Sequence, residues 1–327
     1  MHAAAIPPRG VARRAARLRG QSIIEYVLII AVISLVVVFA GPQVSQAVHN
    51  QFAGVANTLA GGIHGSGSGL GGTSGGGSGG NTPDQEQKDY LDDMKTVTDK
   101  DPRDWTLEDQ KKAAEDIAEK GTASVAFPKA KDAMGSGTKW SVTLNNGQTL
   151  EYRIIGINHD DLADGSGKAG LTFEATNDAL GAQRMYATNS NAGGWEASEL
   201  RGRLNTGDLW ALLPAEIQYN VKAVTKMTDN KGGGGTAGTP SATTDKVFLL
   251  STTEVYGDLD SDGAQYEYYQ SKGVSTSSYS GASSSSWHWT RSVTPGNSRD
   301  FRFVYTDGNW YSSDAAPTWS VFPAFCF

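Results

Sequence analysis

The chain has 327 residues, 38% hydrophobic and 19% charged, enough apolar material for a packed core over part of its length. Its formal charge is -7, and five arginines (Arg9, Arg13, Arg14, Arg17, Arg19) fall within the first twenty residues, so the remainder is more acidic still. An acidic body excludes nucleic acid as the partner, because phosphate binding needs clustered cations. A single cysteine, Cys326, excludes an intramolecular disulfide and a cysteine-based zinc site, and it reads as a small buried apolar residue.

The basic block abuts residues 23–40, IIEYVLIIAVISLVVVFA. A helix of that length spans about 27 Å, close to the bilayer core, and the flanking arginines mark its cytoplasmic side. Glu25 interrupts the apolar run near its start. A signal peptide would have an uninterrupted apolar centre followed by small residues at a cleavage site, and a plain anchor would leave Glu25 without a role. A carboxylate in a spanning helix is costly and points to a function with a partner.

The run RGQSIIEY followed by aliphatic residues resembles the processing site of Flp-type (type IVb, Tad) prepilins, over about 20–25 residues. The resemblance implies that a membrane prepilin peptidase cuts after Gly20 and frees the amine of Gln21. Glu25 and Tyr26 then become the fifth and sixth residues of the mature chain. It also implies that Glu25 neutralises the amine of an adjacent subunit inside an apolar fibre core. An unpaired buried charge is expensive, so such pairing sets the stagger between subunits. The partners implied are the peptidase, other pilin subunits in a helical homopolymer, and the inner membrane before assembly. The destination implied is an extracellular pilus.

Gly41-Pro42 ends or kinks the apolar helix. Val44, Val48, Phe52, Val55 and Leu59 keep helical spacing, and residues 61–80 are almost all Gly and Ser, a flexible coil. Thr82-Pro83-Asp84-Gln85 opens a helix expected over 84–98, and Thr106 caps a second over 107–120 that Gly121 stops. These two helices form a stalk or pack across the head. The organisation expected is a cleaved basic leader at 1–20, a pilin transmembrane and assembly helix at 21–60, a Gly/Ser linker at 61–82, a helical stalk at 83–121 and a head at 122–327.

Within the head, Trp140, Val142 and Leu144 alternate, Asn145-Asn146-Gly147 turns, and Leu150, Tyr152 and Ile154 alternate again, which predicts a β-hairpin. Residues 195–204 and 208–213 predict short helices, Lys246–Ser251 a buried strand, and 230–241 a glycine-rich excursion. The stretches TNSNAGGWEASELRGRLN, KVFLLSTTEVYG, GAQYEYYQ, WHWTRS and VFPAFCF, in this order over about 138–327, resemble a bacterial C-type-lectin-like domain. Such domains are akin in fold to the formylglycine-generating enzyme and end the variable proteins of diversity-generating retroelements. The fold class implied is a single N-terminal hydrophobic pilin α-helix plus an α+β C-type-lectin-like globular head, whose C-terminal strands and loops present a ligand-binding face. Trp289, Arg291 and Ser292 match that pattern as scaffold. Phe322 departs from it, standing where the family often has Arg before Pro-Ala-Phe.

Alternation along FRFVYTDGNWYSSD turns Phe301, Phe303 and Tyr305 to the core and Asp300 and Arg302 outward. The ligand-binding residues expected are His288, Thr290, Asp300, Arg302, Tyr305, Asn309, Trp310, Tyr311, Ser312, Ser313, Asp314, Thr318 and Ser320. Tyr, Trp, Ser and Asn suit adaptable recognition, offering rigid aromatic area beside small hydrogen-bonding groups. The alternative is a Ser/Tyr-rich β surface with no binding role. Asp258, Asp260 and Asp262 open like a calcium loop, but the position that should be acidic is Tyr269, so a solvated acidic loop is the default and calcium the lesser alternative. His159, Asp160, Asp161 and Asp164 likewise read as a polar turn before a metal site. No nucleophile elbow, phosphate loop or zinc-protease helix appears, and one cysteine cannot supply a formylglycine-type active site, so neither an enzyme nor a cofactor is expected. The function expected is a type IVb pilus subunit displaying an adhesin head for an unknown surface protein or glycan. The alternatives are a structural pilin with a decorating head, and a secreted binding protein with an ordinary signal peptide.

Overall fold

Thr106 caps helix α3 (Leu107–Lys120) in a reciprocal box with Asp109, each side chain accepting from the other's backbone N–H. This helix and its neighbours are seen in the computed structural model, which describes residues 83–327; Thr82, the leader, the apolar run with Glu25 and Tyr26, and the Gly/Ser linker lie outside the described residues. The helix expected over 84–98 is broken at Met94 into α1 (Pro83–Asp93) and α2 (Lys95–Thr98). A further helix, α4 (Phe127–Ser136), precedes the first strand. No helix among the described residues is long and apolar enough to cross a membrane.

Of the two arrangements open to the first helices, stalk or packing across the head, the structure has the second. Met94, Val97, Trp105, Ala113, Ala114 and Ile117 are buried in the same core as the strands, and Trp105 stacks on Trp140 with ring centroids 6.4 Å apart. The approach is close enough to need a glycine. A Cβ on Gly170 would lie 1.9 Å from the Ala114 carbonyl oxygen.

The predicted hairpin forms as β1 (Lys139–Thr143) and β2 (Thr149–Ile157), with Trp140 opposite Tyr152 and Val142 opposite Leu150. Its turn uses Gly147 at φ +85°. These strands begin a five-stranded sheet in the order β1-β2-β3-β12-β7, with β3 at Leu171–Ala175, β7 at Val247–Phe248 and β12 at Ala324–Cys326. The last strand lies inside the sheet, paired on both edges, and Val321–Phe327 are all buried. Phe173, Phe325 and Phe327 pack ring against ring there, and Cys326 is fully buried as expected.

A second five-stranded sheet runs β10-β9-β8-β11-β4, with β4 at Ala182–Gln183, β8 at His288–Val293, β9 at Asp300–Val304, β10 at Trp310–Asp314 and β11 at Trp319–Ser320. The short helix α5 (Glu199–Asn205) starts four residues later than the sequence placed it, because Ser198 caps it, while α6 (Asp208–Leu212) falls where expected. The glycine-rich excursion joins two strands that the sequence did not reveal, the antiparallel ribbon of β5 (Val224–Thr228) and β6 (Ser241–Asp245).

Candidate functional site

Strands β9 and β10 are in register so that Tyr311 faces Phe303 and Ser313 faces Phe301. Directly opposed residues share a face of the sheet, and on this one the aromatic side chains gather. Phe303 is buried at the base. Around it stand Tyr305, Tyr311, Trp319 and Trp287, with centroid separations of 4.4 Å for Trp287–Tyr305, 5.2 Å for Trp287–Trp319 and 4.4 Å for Tyr305–Tyr311. Trp319 lies parallel to Phe303 at 5.5 Å and donates its indole N–H to Ser313 Oγ at 3.1 Å. Trp287 and Tyr311 remain 40% and 45% exposed, so a connected sheet of rings meets solvent. Asn309 donates to the Tyr311 hydroxyl at 3.3 Å, placing an amide at the edge of that surface.

The ligand-binding set expected from the sequence divides. Tyr305, Tyr311, Ser313 and Asn309 belong to the aromatic face, and Thr318 is exposed in the turn before Trp319. Ser312 is exposed on the opposite face, where its hydroxyl meets Thr294 at 2.7 Å, and Asp314 accepts from Arg299 at 2.8 Å. Asp300 accepts from Asn297 at 2.7 Å. Trp310 is half-buried under the Arg302 guanidinium at 4.7 Å. Four residues expected to present to a ligand are buried instead. Arg302 is turned to Asp260 at 2.7 Å, because a buried guanidinium needs a carboxylate. Thr290 donates to the Arg302 carbonyl at 2.9 Å across the strand pair. Ser320 pairs with His288 through the backbone of β11 and β8, and the His288 ring stacks on Phe322 at 4.4 Å. Sequence reading missed Trp287 and Trp319; the available signal was a tryptophan standing alone after four serines, with no apolar neighbour to bury it.

The acidic loop is not a converging cage. Asp258 accepts from Thr276, Asp260 from Arg302 and Thr252, and Asp262 from the Asp229 backbone, so the three carboxylates serve separate partners. Among the described residues no group of three or more His, Cys, Asp or Glu side chains could hold a metal ion.

A chain of buried charges joins β5 and β8. Asp160 pairs with Lys226 at 2.5 Å, Lys226 with Glu254 at 2.6 Å, and Glu254 with Arg291 through both guanidinium nitrogens. Tyr266 donates to Asp160 at 2.9 Å, and Arg291 also donates to the carbonyls of Leu249 and Met227. Burial pushes both carboxyls up, but Lys226 beside Asp160 and Arg291 beside Glu254 outweigh it and hold both below the usual carboxylate range. The network ties β5 and β8 to the short helix Thr252–Tyr256 and serves as a brace for them. Asp160 thus has a buried partner, and His159 beside it packs against the Tyr266 ring at 4.0 Å, tilted by 30°, and meets Glu267 at 3.1 Å. Burial and the neighbouring Asp160 carboxylate push the Cys326 thiol well up, which leaves it a poor nucleophile.

Residues 166–327 match the model of a family described as a domain of unknown function, DUF6273. That match spans β3 to β12 and therefore both sheets except the β1–β2 hairpin, while the first helices that share the core precede it. No curated protein and no solved structure matches the chain.

Proposed function

We propose that this chain is a type IVb pilus subunit whose head, a C-type-lectin-like domain, binds a ligand on a cell or protein surface through the aromatic face of its second sheet. The observation that carries the binding half is the connected set Trp287, Tyr305, Tyr311 and Trp319, of which Trp287 and Tyr311 are exposed. Aromatic rings at 40–45% exposure lose hydration readily, and such anchors dominate interfaces where one end is apolar and the other wet. The rings are braced from below by Phe303 and by sheet hydrogen bonds, so little side-chain order is lost on binding. Of the stretches that carry the resemblance to C-type-lectin-like domains, the segment 287–292 contributes Trp287 to this face. The pilin half rests on Gly20, Gln21, Glu25, Tyr26 and the apolar run, outside the described residues.

The buried charges of Asp160, Lys226, Glu254 and Arg291 are paired with one another, and the exposed face is aromatic and hydroxylic. The test is a glycan and cell-surface array probed with the purified full chain and with its Trp287→Ala/Tyr311→Ala double variant. Binding by the parent and its loss in a folded double variant are the expected results. Equal binding by the two would refute the face, and a decorating head without a ligand predicts binding by neither.

A further inference from the structure

Strand β1 ends the first sheet, and its outer edge is bare. The Leu144 N–H donates to the Gln148 carbonyl at 2.8 Å, one step beyond the Thr143–Thr149 pair. Bonded pairs alternate along an antiparallel ladder, so the next ones are Val142–Leu150 and Trp140–Tyr152. Lys139, Ser141 and Thr143 therefore turn their backbone N–H and C=O groups away from β2. Glu151, opposite Ser141, shows the same phase, since its N–H donates to Asn177 Oδ1 and its carbonyl accepts from the Thr176 N–H on the far side. Among the described residues nothing takes up the outward groups of β1, and Ser141 and Thr143 are exposed. From this edge we infer that β1 docks a second copy of the chain, β1 against β1, antiparallel about a two-fold axis at Ser141. The inference goes beyond ligand binding by the aromatic face and does not rest on it.

The backbone decides that the occupant is a strand. A row of unpaired N–H and C=O groups is matched only by another extended segment, which offers the same groups at the same spacing. Register and charge then select a second copy. Pairing about Ser141 sets Ser141 against the partner's Ser141, Lys139 against the partner's Thr143 and Val142 against the partner's Trp140. This is the one antiparallel register that engages all three outward residues of both strands, with two hydrogen bonds for each outward pair. Lys139 is the only charged residue of the strand, so no like charges are opposed along it.

The ground on either side of the edge is charged in opposite senses. At the Lys139 end a hollow is lined by Arg103, Lys139 and Glu151, two cations to one carboxylate. At the Thr143 end a wider groove of ≈ 910 Å³, between α3 and α7 (Ala215–Asn220), is lined by Glu108, Glu216 and Lys111, two carboxylates to one cation. A two-fold axis lays each end beside the partner's opposite end, so excess positive charge meets excess negative charge twice over. An unrelated acidic or basic strand would suit one end and be repelled at the other. Half-buried Val142 and Leu107 line the same groove, and the partner's Trp140 falls opposite Val142, so pairing also covers apolar surface. The contact is one short strand long, which places it among weak interfaces, below about 1,200 Å².

A contact of that kind is read by disulfide trapping in the purified full chain. Cys326 is fully buried, so a cysteine placed on the edge is the one that reacts. In a directly opposed bonded pair the Cα atoms lie about 5.5 Å apart, inside the roughly 4.4–6.8 Å that a disulfide spans. Under mild copper–phenanthroline oxidation Ser141→Cys should form a covalent dimer at least tenfold faster than Ser166→Cys, an exposed serine away from β1. Lys139→Cys and Thr143→Cys should cross-link to each other when mixed and not when alone, because like positions lie about 13 Å apart along the antiparallel pair. Ser141→Cys/Thr143→Pro should lose the dimer at an unchanged melting temperature, since proline deletes an outward N–H that β2 does not use. A Ser141→Cys rate no higher than that of Ser166→Cys would overturn the inference. So would Lys139→Cys or Thr143→Cys alone linking as fast as their mixture, or a dimer that survives Thr143→Pro.

Discussion

Replacing Glu254 with Gln should cost more stability than any change on the aromatic face. Glu254 is 2% exposed and is the shared partner of Lys226, at 2.6 Å, and of Arg291, which is fully buried. The four charges of Asp160, Lys226, Glu254 and Arg291 balance; with Gln at 254 the core keeps two cations against one carboxylate. Breaking a buried pair in this way costs about 3–5 kcal/mol, because the stranded charge stays desolvated. For a head of this size that corresponds to a fall in melting temperature of about 10 °C. The assay is urea unfolding of the full chain followed by tryptophan fluorescence, with Glu151→Gln as the control. Glu151 meets Lys139 at 3.4 Å with both side chains nearly half exposed, so its loss should change stability by less than about 1 kcal/mol. A Glu254→Gln cost as small as the control's would refute the claim that this network braces the fold. The pH dependence follows with a definite sign. Asp160 and Glu254 are held below their unfolded values, so their contribution is complete above the ordinary carboxylate range and is lost as pH falls through their folded pKa values.

Further outcomes follow from other parts of the structure. His288 titrates at about 4 when folded against about 6.5 unfolded, so the unfolded chain takes up its proton first and stability should fall between pH 6.5 and 4; His288→Phe should flatten that part of a melting-temperature profile, and an unchanged slope would contradict the burial of a neutral ring. Gly170→Ala drives a methyl into the Ala114 carbonyl and should cost about 3 kcal/mol or more, read from the same urea curves; a cost near zero would mean the helix is not held against β3. Calcium should leave the melting temperature unchanged, since Asp258, Asp260 and Asp262 serve separate partners, and a clear rise on titration would reverse that assignment. Mass and N-terminal sequence of the protein recovered from sheared surface fibres should give a mature start at Gln21, and a start near Gly41 would point to ordinary secretion.

Local signals were legible where local chemistry decides structure. The hairpin at 139–157 could be read because alternation on both arms and an Asn-Gly turn specify the same register. The cap at Thr106 and the inward Phe301 and Phe303 could be read for the same reason. The buried network could not, because its partners are 66 residues apart for Asp160–Lys226 and 37 for Glu254–Arg291, and each charge alone reads as a solvated one. The ribbon of β5 and β6 was hidden by the glycine-rich excursion between its strands. Arg302, Thr290, His288 and Ser320 were misplaced because period-2 alternation tells which face a residue occupies and not whether that face is covered. The 252–263 segment covers Arg302 through Asp260, and Phe322 covers His288.

The most direct test of the account compares surface fibres sheared from a host making the parent chain with fibres from one making Trp287→Ala/Tyr311→Ala, measured for adherence to the surfaces that the parent binds. Two interface anchors of this kind are worth about 2 kcal/mol or more each, about 4 kcal/mol together, so the account predicts a loss of adherence of roughly several hundredfold at equal fibre yield. Equal adherence by the two fibres would contradict it.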